Sequence, residues 1–214
     1  MRERMTVHKA LSELKILNNR IESAIENLDL VSASKHSNAK IQGLSISDWC
    51  DEAKKAYQSV TTLINRRNAI KRAVTRSNAS TMVTIGDKEY TVAEAIDMKS
   101  VGIDQLRALT SKLSSEYAHA KRNADNENAR LEMRADEYVK SLYSGSELKN
   151  MSDEIVKVRD TFITAQTWEI VDPIKAGAEA ERLQAEIDAF MSDVDAALSV
   201  SNALTTVEVE YETK

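Results

Sequence analysis

The chain has 214 residues, with 29 Lys and Arg against 34 Asp and Glu, one Cys, one Pro, five Gly and 5% aromatic residues. Proline and glycine fall far below their usual shares of about 5% and 7%, which excludes a collagenous chain and argues against a Greek-key sandwich or a loop-rich enzyme. The single Cys50 excludes a disulfide framework or a thiolate zinc site and suits a reducing compartment.

No apolar run reaches the length of a membrane span, and the charged start Met1-Arg2-Glu3-Arg4-Met5 leads into an amphipathic segment. Neither membrane insertion nor export by a signal peptide is expected. Two Trp, two Phe and six Tyr are too few for a thick core. Narrow Leu/Ile/Val/Ala seams between helices need fewer aromatics, so the expected fold is mainly α: an elongated helical hairpin or coiled-coil-like bundle, with a small β-hairpin and C-terminal strands. Thin seams leave surface to bury, which favours a homo-oligomer.

From Thr6 to Leu28 the apolar residues form a heptad, with Val7, Leu14, Ile21 and Leu28 in one row, Ala10, Leu17 and Ala24 in the second, and Leu11 and Ile25 alongside. Residues 29–45 lose the period and read as a loop with a short extended piece near Lys40 to Leu44. Ser45 with Asp48 in the first turn starts a second helix, striped by Ile46, Ala53, Val60 and Val74 and by Trp49, Ala56, Leu63 and Ile70. Two such helices predict an antiparallel hairpin.

Beyond Asn78 the pattern turns extended. Met82 to Ile85, a turn at Gly86-Asp87, and Lys88 to Tyr90 predict a β-hairpin. Thr91 and Glu94 have capping-box spacing and open a short helix to about Lys99. Gly102 is read as a break and Asp104 as the cap of a helix that reaches Tyr143 if unbroken, about 60 Å. Its middle, Ala118 to Glu137, has a nearly bare seam. That stretch is expected to project, or to be covered only by alanine packing against another chain, and Ser144-Gly145-Ser146 to end the helix or mark a joint.

Further on, Asp153 to Arg159 suggests a short helix, and the β-branched and aromatic content of Thr161 to Val171 a strand. Asp172-Pro173 reads as N-cap and first position of a last helix with a stripe of Leu183, Ile187, Phe190/Met191, Val194 and Leu198. Thr206 to Tyr211 alternates and predicts a strand with Val207, Val209 and Tyr211 on one face. Three segments result, a helical hairpin over 1–80, a β-hairpin plus long helix over 81–144 and an acidic strand-helix-strand region over 145–214, joined as one elongated domain.

Charge is unevenly distributed. Residues 1–76 carry +6, residues 77–144 carry −2 and residues 145–214 carry −9. No acid occurs between Ala53 and Gly86, where Lys54, Lys55, Arg66, Arg67, Lys71, Arg72 and Arg76 all fall. One reading is a phosphate-contacting face for nucleic acid. The favoured one is a helix face that pairs with the acidic C-terminal third, within the chain or across subunits, since interleaved aromatics are missing and the net charge is −5.

His8, His36 and His119 lie in separate segments without a ligand or base partner at useful spacing, and Cys50 beside Trp49 reads as a small buried thiol. No phosphate-binding glycine loop, nucleophile elbow or zinc helix occurs. The chain is therefore expected to be non-enzymatic, with no cofactor and no metal.

The run Leu63-Ile64-Asn65-Arg66-Arg67-Asn68, then a hairpin, then Tyr90-Thr91-Val92-Ala93-Glu94-Ala95-Ile96, resembles the septicolysin-like family of small bacterial and phage helical proteins. That family has a similar helix ending in an Ile-Asn-x-x-Asn run, a short turn and a Leu-Thr-x-Ala-Leu-like restart. Asp172, Leu183, Ile187-Asp188 and Asn202-Ala203-Leu204-Thr205 resemble its closing helix. The resemblance runs through most of the chain in order; it implies a helical scaffold with phage relatives and supplies no catalytic residues.

Together these features predict a structural or assembly protein of a tailed-phage particle (capsid decoration, neck or tail accessory), placed in the virion or host cytoplasm. Its expected partners are copies of itself and other virion proteins, with nucleic acid as the alternative partner of helix 54–76. The expected contact residues are Arg66, Arg67, Arg72 and Arg76 as a basic face, and Val207, Val209 and Tyr211 as a strand that augments a neighbour's sheet.

Overall fold

The computed structural model describes residues 1–143, 145 and 152–211. The protein is a mainly α helical bundle with small two-stranded sheets. It divides into two compact units, one formed by Met1–Val101 with Ala189–Lys214 and the other by Gly102–Asp188.

In the first unit, strand β1 (Arg2–Thr6) leads directly into helix α1 (Val7–Glu26), and the Thr6 hydroxyl caps the helix by accepting from Lys9 N. The expected seam is present: Val7, Ala10, Leu14 and Leu17 are buried, whereas Leu11 and Ile25 remain exposed beside it. Strands β2 (Lys40–Ile41) and β3 (Leu44–Ser45) form the short extended piece, turned by Gln42 and Gly43 at φ 49° and 85°. Positive φ at both positions is the geometry of the tightest hairpin turns. Ser45 then caps helix α2 (Ile46–Asn78), its hydroxyl accepting from Asp48 N at 3.1 Å.

Strands β4 (Met82–Ile85) and β5 (Lys88–Thr91) follow, with Gly86 at φ 57° supplying the first turn position. Helix α3 (Val92–Asp97) opens on the predicted capping box of Thr91 and Glu94. The Thr91 N–H and hydroxyl both donate to the Glu94 carboxylate and hold its pKa below the ordinary value. This contribution to α3 is therefore present at neutral pH and is lost as acid takes the pH down through that lowered value.

The core of this unit lies where α1 and α2 meet strand β6 (Thr206–Glu210), with Met5, Val7, Ala10, Leu14, Leu17, Ala69, Ile70, Val74, Val207, Val209 and Tyr211 in one cluster. Strand β6 pairs antiparallel with β1 in the register Arg2↔Glu210, Arg4↔Glu208. The exposed faces set that register, because a one-residue slip would bury charge. Arg2 reaches Glu208 at 2.5 Å and Glu210 at 3.1 Å, and the Arg4 guanidinium donates to the Thr206 hydroxyl.

Gly102 does not break the chain. Its backbone is helical (φ −60°, ψ −43°), and a π-helical turn over Met98–Gly102 carries α3 into helix α4 (Ile103–Asn128), so Asp104 lies inside the first turn and is not a cap. A helical glycine costs only about 1 kcal/mol, and the wider turn absorbs the change of pitch.

In the second unit, α4 ends at Asn128 and helix α5 (Leu131–Leu142) begins two residues later, so the long helix is broken at Ala129-Arg130. The Ser144 and Ser146 of the predicted helix end lie outside the described residues. The seam expected to be bare is covered in its second half by this chain, where Ala124, Leu131 and Ala135 are buried and helix α6 (Asp153–Gln166) packs on α5, while Ala120 in its first half stays exposed. Arg159 bonds Glu132 and Asp136, one turn apart on α5, and the Phe162 ring stacks on Tyr138 at 4.6 Å.

The strand predicted over Thr161 to Val171 does not form. Its first half belongs to α6, where the Thr161 hydroxyl donates to the carbonyl four residues back, Ile155 is buried and Phe162 is half-buried; the Thr167 hydroxyl, just past the helix end, donates to Ile163 O. Burial of that helical stripe outweighs β-propensity. Helix α7 (Ala176–Leu204) carries the predicted stripe of Leu183, Ile187, Phe190 and Val194. Its start is displaced: both Asp172 carboxylate oxygens accept from Ala176 N, so Asp172 caps the helix from four residues away and Pro173 sits in a turn, not at the first helical position.

Ile70 is 0% exposed, and Ile70→Ala should cost about 2–5 kcal/mol from the lost burial and the cavity left behind. Leu11→Ala, on the exposed flank of the same helical pair, should cost less than about 1 kcal/mol. Urea unfolding followed by circular dichroism measures both, and similar losses would show that the seam is placed wrongly.

Candidate interaction surfaces

Of the four arginines read as a basic contact face, Arg66 is turned inward. Its side chain is 24% exposed, and its guanidinium bonds three partners. Nε donates to Glu13 Oε1 at 2.5 Å, Nη2 to Glu3 Oε2 at 2.9 Å and Nη1 to the Tyr211 hydroxyl. The guanidinium carbon also lies 5.0 Å from the centre of the Tyr211 ring. The hydrogen bond to Glu13 raises the Arg66 pKa above its ordinary value; burial opposes this, and the charges of Glu13 and Glu3 add to the rise.

Arg67 is half-buried and bonds Asn18 Oδ1 at 3.1 Å and the neighbouring Asn68. Arg72 and Arg76 are exposed and make no ion pair among the described residues. With Arg2, Glu208 and Glu210 they line a cleft of about 320 Å³. The cleft is mixed in sign, and its acids come from β6, but they pair with Arg2 of β1; among the described residues no ion pair joins the basic face of residues 54–76, the one expected to make that pairing, to the C-terminal third. The carboxylates on Arg66 belong instead to the N-terminal third.

Val207, Val209 and Tyr211 do share one face, and that face is buried in the first unit's own core. The strand they belong to is already paired on one edge, with β1. Sequence reasoning missed β1, Glu3 and Glu13. The signal was the alternation of Arg2 and Arg4 mirrored by that of Glu208 and Glu210, which predicts pairing of two short strands of opposite charge.

The second unit shows a different surface. Residues 167–175 have no regular structure, yet Trp168 is 51%, Ile174 59% and Val171 92% exposed. The segment is held firmly. Asn128 accepts from Trp168 N and donates to Trp168 O, both at 2.9 Å, as a strand neighbour would. Asp172 binds Ala176 N at 2.8 and 2.9 Å, and Lys175 turns the chain into α7 at φ 56°. A left-handed conformation at a non-glycine residue costs about 1 kcal/mol, so the turn is imposed by its surroundings. Between this segment and α4 runs an open groove of about 820 Å³.

His8, His36 and His119 are exposed, with the ring Nδ1 of His119 3.3 Å from the Asn123 amide, and Cys50 is half-buried beside the buried Trp49. Among the described residues no group of three His, Cys, Asp or Glu is placed to hold a metal ion, and no helix is long and apolar enough to cross a membrane. Comparison with protein-family models, curated proteins and solved structures returns no match.

Arg66→Met should destabilise the first unit by about 2–4 kcal/mol, because it leaves Glu3 and Glu13 without their partner. Arg66→Lys should recover only part of this, since an ammonium cannot reach three acceptors in one plane. Equal urea midpoints for wild type and Arg66→Met would show that the cluster contributes no stability.

Proposed function

We propose that the chain is a non-enzymatic structural protein that works by self-association as a homo-oligomer. The observation that carries this reading is an apolar display: Trp168, Val171 and Ile174 are 51%, 92% and 59% exposed within one segment, a site at which burial against a partner would be favourable. The resemblance of residues 63–96 to septicolysin-like chains supports a tailed-phage particle as the setting, with other virion proteins as further partners.

A second reading, contact with nucleic acid through α2, draws on Lys71, Arg72 and Arg76, which are exposed at its C-terminal end. It has less to draw on than the sequence suggests, because Arg66 is bound to Glu3, Glu13 and Tyr211.

Sedimentation equilibrium of the purified chain should show a concentration-dependent oligomer, and mass spectrometry of purified phage particles from the source should find its peptides. A monomer at all concentrations, absent from particles, would overturn the structural reading. The nucleic-acid reading predicts binding that weakens steeply with salt. Arg72→Glu with Arg76→Glu should abolish that binding while leaving the oligomer intact; a wild-type chain that binds no DNA or RNA at low salt rules it out.

A further inference from the structure

We infer that the hollow formed by Asn123, Asn126 and Glu127 of α4 with Arg130 and Trp168 binds a neutral sugar, one pyranose ring lying on the Trp168 indole and its hydroxyls bonded by the four polar side chains. The inference stands apart from the self-association reading: Trp168 borders this hollow, whereas Val171 and Ile174 line the groove beside α4.

The hollow measures about 420 Å³, within the usual size of small-ligand sites. Asn123, Asn126 and Glu127 stand three and four residues apart on α4 and so share one face of it. Arg130 joins them from the break before α5. Trp168 supplies the aromatic wall and is 51% exposed. Its backbone is fixed by Asn128, the residue after Glu127, which accepts from Trp168 N and donates to Trp168 O, both at 2.9 Å. Aromatic platform and polar groups are thus tied to the same end of one helix, which lowers the ordering cost of binding.

The polar groups are available to a ligand. The side chains of Asn126 and Arg130 make no hydrogen bond or ion pair among the described residues. Asn123 Nδ2 lies 3.3 Å from His119 Nδ1, which leaves its carbonyl oxygen, and Glu127 is steadied by Arg134 at 3.2 Å through one oxygen, which leaves the other. Amide and carboxylate oxygens accept, while amide nitrogen and guanidinium donate. Acceptors and donors set beside one flat aromatic surface match a pyranose, whose C–H groups form an apolar face and whose hydroxyls, each both donor and acceptor, ring its edge. Other ligands match less well. An apolar body would cover four polar groups without bonding them. A single-stranded nucleic acid could stack a base on the indole, but its phosphates would meet the Glu127 carboxylate. Glu127 and Arg130 cancel in charge, which selects for a neutral ligand.

The test is isothermal titration of the full chain with cellobiose, maltose, lactose and chitobiose, with tryptophan emission read alongside. At least one disaccharide should bind with a millimolar Kd and shift the emission. Trp168→Ala should weaken that binding about tenfold or more, Trp168→Tyr should keep part of it, and Asn126→Ala should weaken it about three- to tenfold. Both positions are exposed, so folding should be retained, which far-UV circular dichroism checks. No binding of any of the four sugars up to about 10 mM, or binding unchanged in Trp168→Ala, overturns the site. Salt-sensitive binding of an oligothymidylate through Trp168, with no sugar bound, makes the hollow a nucleic-acid contact and overturns it as well. A wild-type oligomer that Trp168→Ala dissociates, with no sugar bound, makes the indole a subunit contact and also overturns it.

Discussion

Arg66 carries a charge that cannot be discharged at any ordinary pH, and it sits three-quarters covered at the edge of an apolar core. Such a group is tolerable only where acceptors meet its planar fork from several directions. Here those acceptors come from three places: Glu3 on β1, Glu13 on α1 and Tyr211 at the end of β6. Once α2 is packed, the positions of the other elements are constrained together, because moving any one leaves a buried hydrogen-bonding group without its partner. The apolar cluster beneath supplies most of the favourable burial but little direction. The arginine supplies direction, and the opposed charges of Arg2, Glu208 and Glu210 repeat that restraint on the outer face of the sheet.

The second unit solves its packing without a comparable centre. Alanines at 124 and 135 let backbones approach closely, and Arg159 and the Tyr138–Phe162 stack attach α6 to α5. Its distinctive part is the segment from Thr167 to Lys175, which has no regular hydrogen-bonding pattern of its own yet is fixed at both ends by single side chains. A loop that displays valine and isoleucine to water while being held still carries its ordering cost within the folded monomer. This gives the surface of that unit an asymmetry between apolar display and rigidity that ordinary connecting loops lack.

What could be read in advance was local. The seam of α1, the caps at Ser45 and Thr91, the glycine turn at Gly86 and the stripe of α7 each depend on residues within a few positions of one another, where period and capping chemistry decide the outcome. The errors fall where distant partners decide. Arg2-Glu3-Arg4-Met5 becomes a strand only beside residues 206–210. Phe162 and Ile163, strand-like by type, are helical because Tyr138 and α5 cover that face of α6. Gly102 is a helix breaker by propensity but is carried through by the turns on either side. The role of Arg66 was the least legible, since a basic helix without neighbouring acids looks like a surface until the carboxylates of Glu3 and Glu13 fold over it.

The pairing of β1 with β6 also imposes an order in time. The partners lie about two hundred residues apart, and at synthesis rates of about 5–20 residues per second they are separated by roughly 10–40 s. During that interval α1 and α2 can form their hairpin, but Met5, Val7 and Ala10 lack the lid that Val207 and Val209 later provide, and Arg66 lacks Tyr211. The nascent chain therefore presents an unpaired strand edge and an open apolar trough to any neighbouring copy. A β6 from another chain would fit that trough as well as its own, so newly made copies on one message face a choice between closing on themselves and exchanging strands.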